Sequence, residues 1–256
     1  MKPTSFFENI DQVKGLISDK EAIVFLDYDG TLTPIVATPD LAVISDEMRQ
    51  TVRDLSQRRK VSIVSGRATD DVRGKVQIDG IFYAGSHGFE IVDPEGGVTI
   101  NEQARQIRKT IDEIHQKLAE HIKHIEGALI ENVKYTVSCH YRLVSDADFP
   151  EFEKIVDETL AGYPDLRKTS GKKVFELRPR IDWDKGKAVR WILEVLGFNP
   201  EQHIALYIGD DTTDEDAFKV LDEKGFGILV ADPARESAAQ YCVKDVAEVK
   251  RVLESL

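Results

Sequence analysis

The strongest constraint on the fold is an apolar run that ends in two aspartates. Residues 22–26 read Ala-Ile-Val-Phe-Leu, and the chain continues Asp27-Tyr28-Asp29-Gly30-Thr31. A short run that is apolar at every position predicts a strand buried on both faces, as in a parallel sheet covered by helices. Ligands of such sheets bind at the carboxyl ends of the strands, so both carboxylates are expected where chemistry is done. Because they repel each other, they predict a cation or another positive partner nearby.

Strand and helix patterns alternate along residues 22–100 and resume after residue 180. The apolar runs predict strands at residues 22–26, 61–64, 81–84, 204–208 and 227–230. Apolar spacings of three and four residues predict helices at 46–59, 185–196 and 246–256. The alternation predicts an α/β core built from βαβ units, with its site at one edge of a parallel sheet.

The segment that separates these two stretches has a different order of helix and strand patterns. Residues 101–125 have a long helical pattern, and strand patterns follow at 128–131 and 134–140. A helix is predicted at 149–160 and a strand at 173–177, with Pro179 at the exit. This order predicts a small α+β domain at residues 104–180, inserted into a core formed by residues 1–103 and 181–256.

Composition excludes several classes of function. The 256 residues carry a net charge of -12, which argues against a nucleic acid as partner. Binding to the phosphates of a nucleic-acid backbone needs an excess of Lys and Arg. Cys139 and Cys242 form no CxxC pair, so neither a disulfide framework nor a zinc site is expected, and the cytoplasm is the expected location. The sequence has neither a signal-peptide pattern nor an apolar stretch long enough for a membrane span.

Polar groups gather at the predicted strand ends and at one helix start. They are Asp27 with Asp29, Ser65-Gly66-Arg67, Asp210 with Asp211 and Asp214, and Lys185. Together they offer carboxylates for a hard cation such as Mg²⁺, and a lysine and a hydroxyl for an anion. A carboxylate can also attack phosphorus and form an aspartyl phosphate. Taken singly, each segment also fits an ordinary turn or a solvated helix start, so the prediction depends on the combination.

The same segments resemble the four motifs of the haloacid dehalogenase superfamily of phosphotransferases, in order. Within that superfamily the chain is most similar to the trehalose-phosphatase family. That similarity is carried by Gly85-Ser86-His87-Gly88-Phe89-Glu90, His140-Tyr141-Arg142, Gly171-Lys172 with Glu176, and residues 209–218. The resemblance extends from about residue 20 to the end of the chain. It implies a haloacid dehalogenase-like Rossmannoid core with a parallel sheet, plus a smaller inserted α+β cap domain.

The resemblance also implies a role for each core residue. Asp27 would be the nucleophile, and Asp29 the general acid and base. Mg²⁺ would be held by Asp27, the main-chain carbonyl of Asp29, and Asp210, with Asp211 and Asp214 in support. The phosphoryl group would be bound by four residues: Thr31, Ser65, Gly66 and Lys185. Such groups neutralise the charge of the transferring phosphoryl group, which is the main task in this chemistry.

By the same resemblance, residues of the inserted domain would recognise the sugar. The expected contacts are Glu131, Arg142, Lys172 and Glu176, with Arg67 and His87 bordering the substrate from the core. The domain would act as a mobile cap whose closure excludes water. One position departs from the family pattern, because Val133 stands where a lysine is expected. Lys134 follows it and, on a strand, would point to the opposite face.

The resemblance thus implies a phosphoric monoester hydrolase that is Mg²⁺-dependent and converts trehalose 6-phosphate to trehalose and phosphate. A close alternative is a phosphatase for sucrose phosphate, glucosylglycerol phosphate or mannosylglycerate phosphate. A phosphomutase and a non-catalytic sugar-phosphate sensor are further alternatives. Beyond the sugar-phosphate substrate, a functional link to a separate trehalose-phosphate synthase is expected.

Overall fold

A computed structural model describes residues 1–256, which divide into two compact units. Unit 1 comprises residues 1–99 and 183–256, and unit 2 comprises residues 100–182. The cap role expected for the inserted segment stays a prediction. None of the helices is long and apolar enough to cross a membrane.

Thirteen strands are formed. They are β1 (Thr4–Ser5), β2 (Glu21–Leu26), β3 (Lys60–Val64), β4 (Phe82–Gly85), β5 (Glu90–Val92), β6 (Val98–Ile100), β7 (Leu129–Asn132), β8 (Val137–His140), β9 (Leu166–Ser170), β10 (Val174–Pro179), β11 (His203–Gly209), β12 (Gly225–Val230) and β13 (Tyr241–Val243).

Eight α-helices accompany them. They are α1 (Ile10–Ile17), α2 (Asp46–Ser56), α3 (Thr69–Val76), α4 (Glu102–His121), α5 (Phe149–Leu160), α6 (Lys185–Val195), α7 (Glu215–Val220) and α8 (Val246–Ser255). Short 3₁₀ turns lie at Phe7–Asn9, Pro39–Leu41, Ser86–Gly88 and Thr212–Asp214.

One nine-stranded sheet organises unit 1, in the order β1-β13-β12-β11-β2-β3-β4-β5-β6. From β1 to β4 every neighbouring pair is parallel, and β5 is antiparallel to β4. The chain passes from β2 to β3 and β4 on one side, and later returns to β11 on the other. Strand β2 therefore lies at a topological switch point, where the ligands of open α/β sheets bind.

Alternating side chains of the strands supply two separate cores. On β2, Val24 packs in a cluster with residues of α1, α2, α3 and α8, whereas Phe25 packs with residues of α6 and α7. Both side chains are completely buried. Because both faces of the central strands are covered, these strands must be apolar at every position, which is the pattern read from residues 22–26. The predicted α/β core with a parallel sheet is confirmed.

Unit 2 contains an antiparallel sheet in the order β7-β8-β10-β9. One face of this sheet carries Val137, Cys139, Phe175 and Leu177, which form a core with buried residues of α4 and α5. By alternation, the opposite face carries the polar residues of the same strands.

Two local predictions for unit 2 were wrong. Residues 166–170, Leu-Arg-Lys-Thr-Ser, form the edge strand β9, which was not predicted, because only Leu166 in it is buried and the apolar signal is absent. The strand predicted at 134–140 begins only at Val137. Lys134 lies in the β7–β8 hairpin loop with a φ of 62°, so the argument that a strand turns its side chain to the other face does not apply.

Candidate active site

The carboxyl ends of four neighbouring strands lie along one edge of the unit 1 sheet. Asp27 follows β2, Ser65 follows β3, Ser86 follows β4 and Asp210 follows β11. In the sheet these strands are consecutive, in the order β11-β2-β3-β4, and all are parallel. Segments far apart in sequence are thereby brought to a common edge, as their positions after apolar runs predicted.

Lys185 is the centre of a buried ion-pair cluster at this edge. Its Nζ lies 2.8 Å from Oδ1 of Asp27 and 2.7 Å from Oδ1 of Asp214. The exposed fractions of the three side chains are 3%, 6% and 0%. Lys185 is the first residue of α6, and Asp184 caps that helix by accepting a hydrogen bond from the Lys187 amide at 2.9 Å. Helix capping and a buried salt bridge thus fix the position of the ammonium group.

The Asp214 carboxylate is saturated by donors of the protein. Its Oδ1 accepts hydrogen bonds from Lys185 and from the Tyr207 hydroxyl at 2.7 Å. Its Oδ2 accepts from the backbone amides of Asp210 and Asp211, both at 2.9 Å. A Cβ at position 209 would overlap this carboxylate, so glycine is required there. Asp214 therefore orients Lys185 and shapes the turn after β11, and it has little capacity left for a metal ion.

The remaining charges fit a divalent cation. Carboxylate oxygens of Asp27, Asp210 and Asp214 lie within 4.8 Å of one another, and all three residues are buried. The Lys185 ammonium contacts two of these three carboxylates, Asp27 and Asp214, so the negative charges of the three outnumber its single positive charge. Gly30, with a φ of 82°, lets the turn after β2 approach Asp210, because a Cβ there would overlap the Asp210 carboxylate. Since Asp214 is saturated, Asp27 and Asp210 are the residues suited to hold a hard cation.

The pKa values of the cluster reflect the same imbalance. Burial raises the pKa of Asp27 well above its ordinary value, and Asp214 and Asp210 add to this effect while Lys185 opposes it. Burial would lower the pKa of Lys185, but the charges of Asp214 and Asp27 raise it well above its ordinary value. The two carboxylates thus stabilise the ammonium form of Lys185, and a further positive charge near Asp27 would favour the carboxylate form of Asp27.

Asp29 has a cationic partner of its own. The Arg67 Nε and Nη2 donate to Oδ2 and Oδ1 of Asp29, both at 2.7 Å. Nη1 of Arg67 donates to Asp71 at 2.8 Å, and Nη2 also donates to the Pro39 carbonyl at 2.8 Å. The structure shows the Arg67 guanidinium bound to these three groups of the protein itself. The predicted contact between Arg67 and a substrate therefore stays a prediction.

The loops after β3 and β4 hold each other. The backbone amide of Ser86 donates to the Arg67 carbonyl at 2.7 Å, and that of His87 donates to the Ser65 carbonyl at 2.9 Å. Ser86 and His87 have φ values of 48° and 57°, a conformation that costs non-glycine residues on the order of 1–3 kcal/mol each. This strained loop thus fixes the backbone of the Ser65-Gly66-Arg67 segment, and it places His87 beside that segment. The expected contact of His87 with the substrate stays a prediction.

Among the side chains predicted to bind phosphate, that of Thr31 has no hydrogen-bond partner. Its side chain is completely buried, and its Oγ1 has no hydrogen-bond partner. The expected contact with phosphate stays a prediction for Thr31. Ser65 is also buried, and its Oγ accepts a hydrogen bond from the Arg67 amide at 3.2 Å.

The predicted sugar contacts of unit 2 fall into two groups. Glu131 and Glu176 both register with Ser138, which lies between them on β8, and Glu176 registers with Thr169 on β9. These four residues form one row across the sheet, on the face opposite the helices. His140 lies on the same face, and its Nε2 is 3.1 Å from Glu131 Oε2.

Arg142 and Lys172 form the second group, beside the end of the sheet. Nη2 of Arg142 donates to the Lys172 carbonyl at 2.6 Å. Lys172 lies in the turn between β9 and β10, and Arg142 follows β8. The structure therefore brings together Glu131 with Glu176, and Arg142 with Lys172.

Comparisons with known proteins show the family of the chain. The family model for trehalose-phosphatases matches residues 25–247. Trehalose-phosphate phosphatase B of Arabidopsis thaliana is 42% identical over 257 residues, which are 96% of this chain and 69% of that protein. The chain belongs to the trehalose-phosphatase family.

Two solved structures support the assignment of the fold. A trehalose-6-phosphate phosphatase related protein has a TM-score of 0.80 and 26% identity, covering 91% of this chain and 95% of that one. A haloacid dehalogenase-like hydrolase from Bacteroides thetaiotaomicron has a TM-score of 0.64 and 19% identity, covering 92% and 99%. The predicted family, the haloacid dehalogenase-like fold and the enzyme class, a phosphoric monoester hydrolase, are confirmed.

Some residues of this trehalose-phosphatase family member were missed by sequence reasoning. Tyr207, which donates to Asp214, lies inside an apolar strand and gave no polar signal. Asp71 lies in the first turn of α3, whereas Arg67 precedes that helix, so no helical spacing in the sequence indicated this pair. Ser138 shows its position only through strand register.

The buried cluster predicts a large difference between two aspartates of neighbouring segments. Asp214→Asn removes a completely buried charge that pairs with Lys185, and we expect a loss of about 3 kcal/mol in the free energy of unfolding. Asp216→Asn removes a partly exposed partner of Lys219, and we expect a change below about 1 kcal/mol. Urea unfolding of both variants measures the difference, and similar small losses would contradict the assigned role of Asp214.

Proposed function

We propose that this protein is a Mg²⁺-dependent phosphatase that hydrolyses trehalose 6-phosphate through an aspartyl phosphate on Asp27. The observation that carries the proposal is the contact of Lys185 with Asp27 beside the Asp210 carboxylate. The substrate is suggested by the family and by relatives that are named trehalose-phosphate phosphatases.

In the first step, the Asp27 carboxylate would attack phosphorus and form the aspartyl phosphate. The bond between phosphorus and the sugar oxygen breaks, and Asp29 would supply the proton that this oxygen takes up. Lys185, fixed by Asp214, would compensate the negative charge of the phosphoryl group during transfer. The Ser65 segment, fixed by the loop after β4, would contact the same group.

In the second step, Asp29 would remove a proton from water as that water attacks the phosphorus of the intermediate. The bond between phosphorus and Asp27 then breaks, which releases phosphate and restores the carboxylate. Asp27, Asp210 and the main-chain carbonyl of Asp29 would hold Mg²⁺, which would supply positive charge to compensate the phosphoryl group.

Sugar recognition is assigned to the polar face of the unit 2 sheet. Glu131 and Glu176 on this face offer carboxylate acceptors for sugar hydroxyls, with Ser138 between them in the same row. Adjacent strands are spaced by about 4.8 Å, so the two carboxylates leave β7 and β10 about 10 Å apart, a span that suits a disaccharide. Polar groups that a bound substrate covers discriminate strongly, because a substrate that lacks the matching hydroxyl leaves them unpaired.

The cytoplasmic location and the link to a separate trehalose-phosphate synthase are also retained as proposals. Both cysteines are free thiols, which suits a reducing compartment.

The first prediction of the proposed function concerns the substrate and the metal. With Mg²⁺ present, phosphate release from trehalose 6-phosphate should exceed release from sucrose phosphate, glucosylglycerol phosphate and mannosylglycerate phosphate by about 100-fold or more in kcat/KM. Removal of Mg²⁺ with EDTA should abolish release, and added Mg²⁺ should restore it. Equal rates across the panel would reject the substrate assignment, and full activity in EDTA would reject the metal.

The second prediction concerns the nucleophile. Asp27→Asn should lower kcat by about 10³-fold or more, because an amide does not form the acyl phosphate. Asp54→Asn, a change of the same kind at a surface residue of α2, should leave kcat unchanged. Thermal unfolding checks that both variants are folded, and a folded Asp27→Asn variant with wild-type kcat would show that another residue accepts the phosphoryl group.

The third prediction concerns the sugar. Glu176→Gln should raise KM for trehalose 6-phosphate about tenfold, because a charge-assisted hydrogen bond is worth about 1.5–3 kcal/mol. KM for p-nitrophenyl phosphate, which has no sugar, should stay the same. Glu158→Gln on the exposed face of α5 is the matched control. A parallel rise of KM for both substrates would argue against a contact between Glu176 and the sugar.

A further inference from the structure

The Arg67 guanidinium is held in place from several directions. One hydrogen bond comes from Nε, one from Nη1 and two from Nη2, so four of its five N–H groups have identified acceptors. Its Cζ lies over the Tyr28 ring, 5.3 Å from the ring centre. Only 8% of the side chain is exposed.

Two of these acceptors are independent of Asp29. Asp71 belongs to the first turn of α3 and binds Nη1, and the Pro39 carbonyl belongs to the loop after β2 and binds Nη2. Rotation of the guanidinium away from Asp29 would therefore break bonds to two other elements. The side that carries Nε and Nη2 remains directed at Asp29.

Asp29 meets this side with both carboxylate oxygens, each at 2.7 Å. A bidentate pair between arginine and a carboxylate fixes the plane of the carboxylate as well as its distance. Asp29 is much less buried than Arg67, with 39% of its side chain exposed. Its orientation therefore depends on this pair more than on packing.

We propose that Arg67, anchored by Asp71, is a positioning residue that orients the Asp29 carboxylate for proton transfer. This role rests on the proposed function of Asp29 as general acid and base. It differs from the substrate contact expected for Arg67 from sequence, because Arg67 acts here through Asp29.

Positioning of Asp29 by Arg67 and direct binding of the substrate by Arg67 predict different kinetics. An alkoxide leaves a phosphoryl group poorly unless it is protonated, so hydrolysis of a sugar phosphate needs a well-placed Asp29 in both steps. p-Nitrophenolate is a stable anion and leaves without a proton, so with this substrate only the attack of water on the aspartyl phosphate needs Asp29. A misplaced Asp29 would therefore slow the second step selectively, and the phosphoenzyme would accumulate.

The test uses the 256-residue chain with Mg²⁺ and compares Arg67→Lys and Asp71→Asn with the wild type. With trehalose 6-phosphate, kcat should fall about 10- to 100-fold while KM stays within about twofold, because a small misplacement of a catalytic group costs up to about 100-fold. With p-nitrophenyl phosphate, both variants should show a burst of one equivalent of p-nitrophenolate, followed by slow turnover. If Arg67→Lys does not fold, Asp71→Asn still tests the proposal, since Asp71 is 40% exposed and asparagine has the same shape.

Arg49→Lys is the matched control. Arg49 also bridges elements, with bonds from Nε to the Val76 carbonyl, from Nη1 to Asp46 and from Nη2 to the Lys75 carbonyl. Its replacement should lower stability without changing kcat or the burst.

Three results would overturn the proposal. A rise in KM for trehalose 6-phosphate with kcat unchanged would show that Arg67 binds the substrate. Equal losses with both substrates and no burst would show a purely structural role. A wild-type protein that hydrolyses neither substrate would refute the proposed function itself, and the positioning role with it, before any variant is measured.

Discussion

The ion pair between Lys185 and Asp27 is the interaction on which the site depends. A buried ammonium requires acceptors, and Lys185 has them in Asp27 and Asp214. Asp214 in turn is held by Tyr207 and by two backbone amides of the turn after β11. The cluster joins the end of β2, the start of α6 and the end of β11, so a change in one of these segments alters the surroundings of the proposed nucleophile.

The two aspartates after β2 are separated chemically by their partners. Asp27 is buried and pairs with Lys185, whereas Asp29 is partly exposed and pairs with Arg67. Each cation comes from a different element and is fixed by a further carboxylate, Asp214 or Asp71. A strand end with two adjacent acids thereby gains two distinct environments, as a nucleophile and a proton carrier require.

Most of the central sheet could be predicted from the sequence, because buried strands need unbroken apolar runs. The polar groups after these runs predicted which side chains meet at the sheet edge, and their catalytic roles stay predictions. The predicted helix at 149–160 matches α5, because its apolar residues recur at intervals of three or four. The edge strand β9 escaped prediction, since an edge strand of polar residues has no such pattern. The partners of Arg67 also could not be read from the sequence, because its acceptors Asp29, Asp71 and Pro39 meet only through the fold.

The central claim is that Asp27 accepts the phosphoryl group. Its most direct test is to mix the enzyme with Mg²⁺ and trehalose 6-phosphate, quench with acid within milliseconds, and locate the phosphoryl group by peptide mass spectrometry. The account predicts a phosphorylated peptide that contains Asp27 and decays as phosphate is released. Turnover without any phosphorylated peptide, or with the phosphoryl group on another residue, would contradict it.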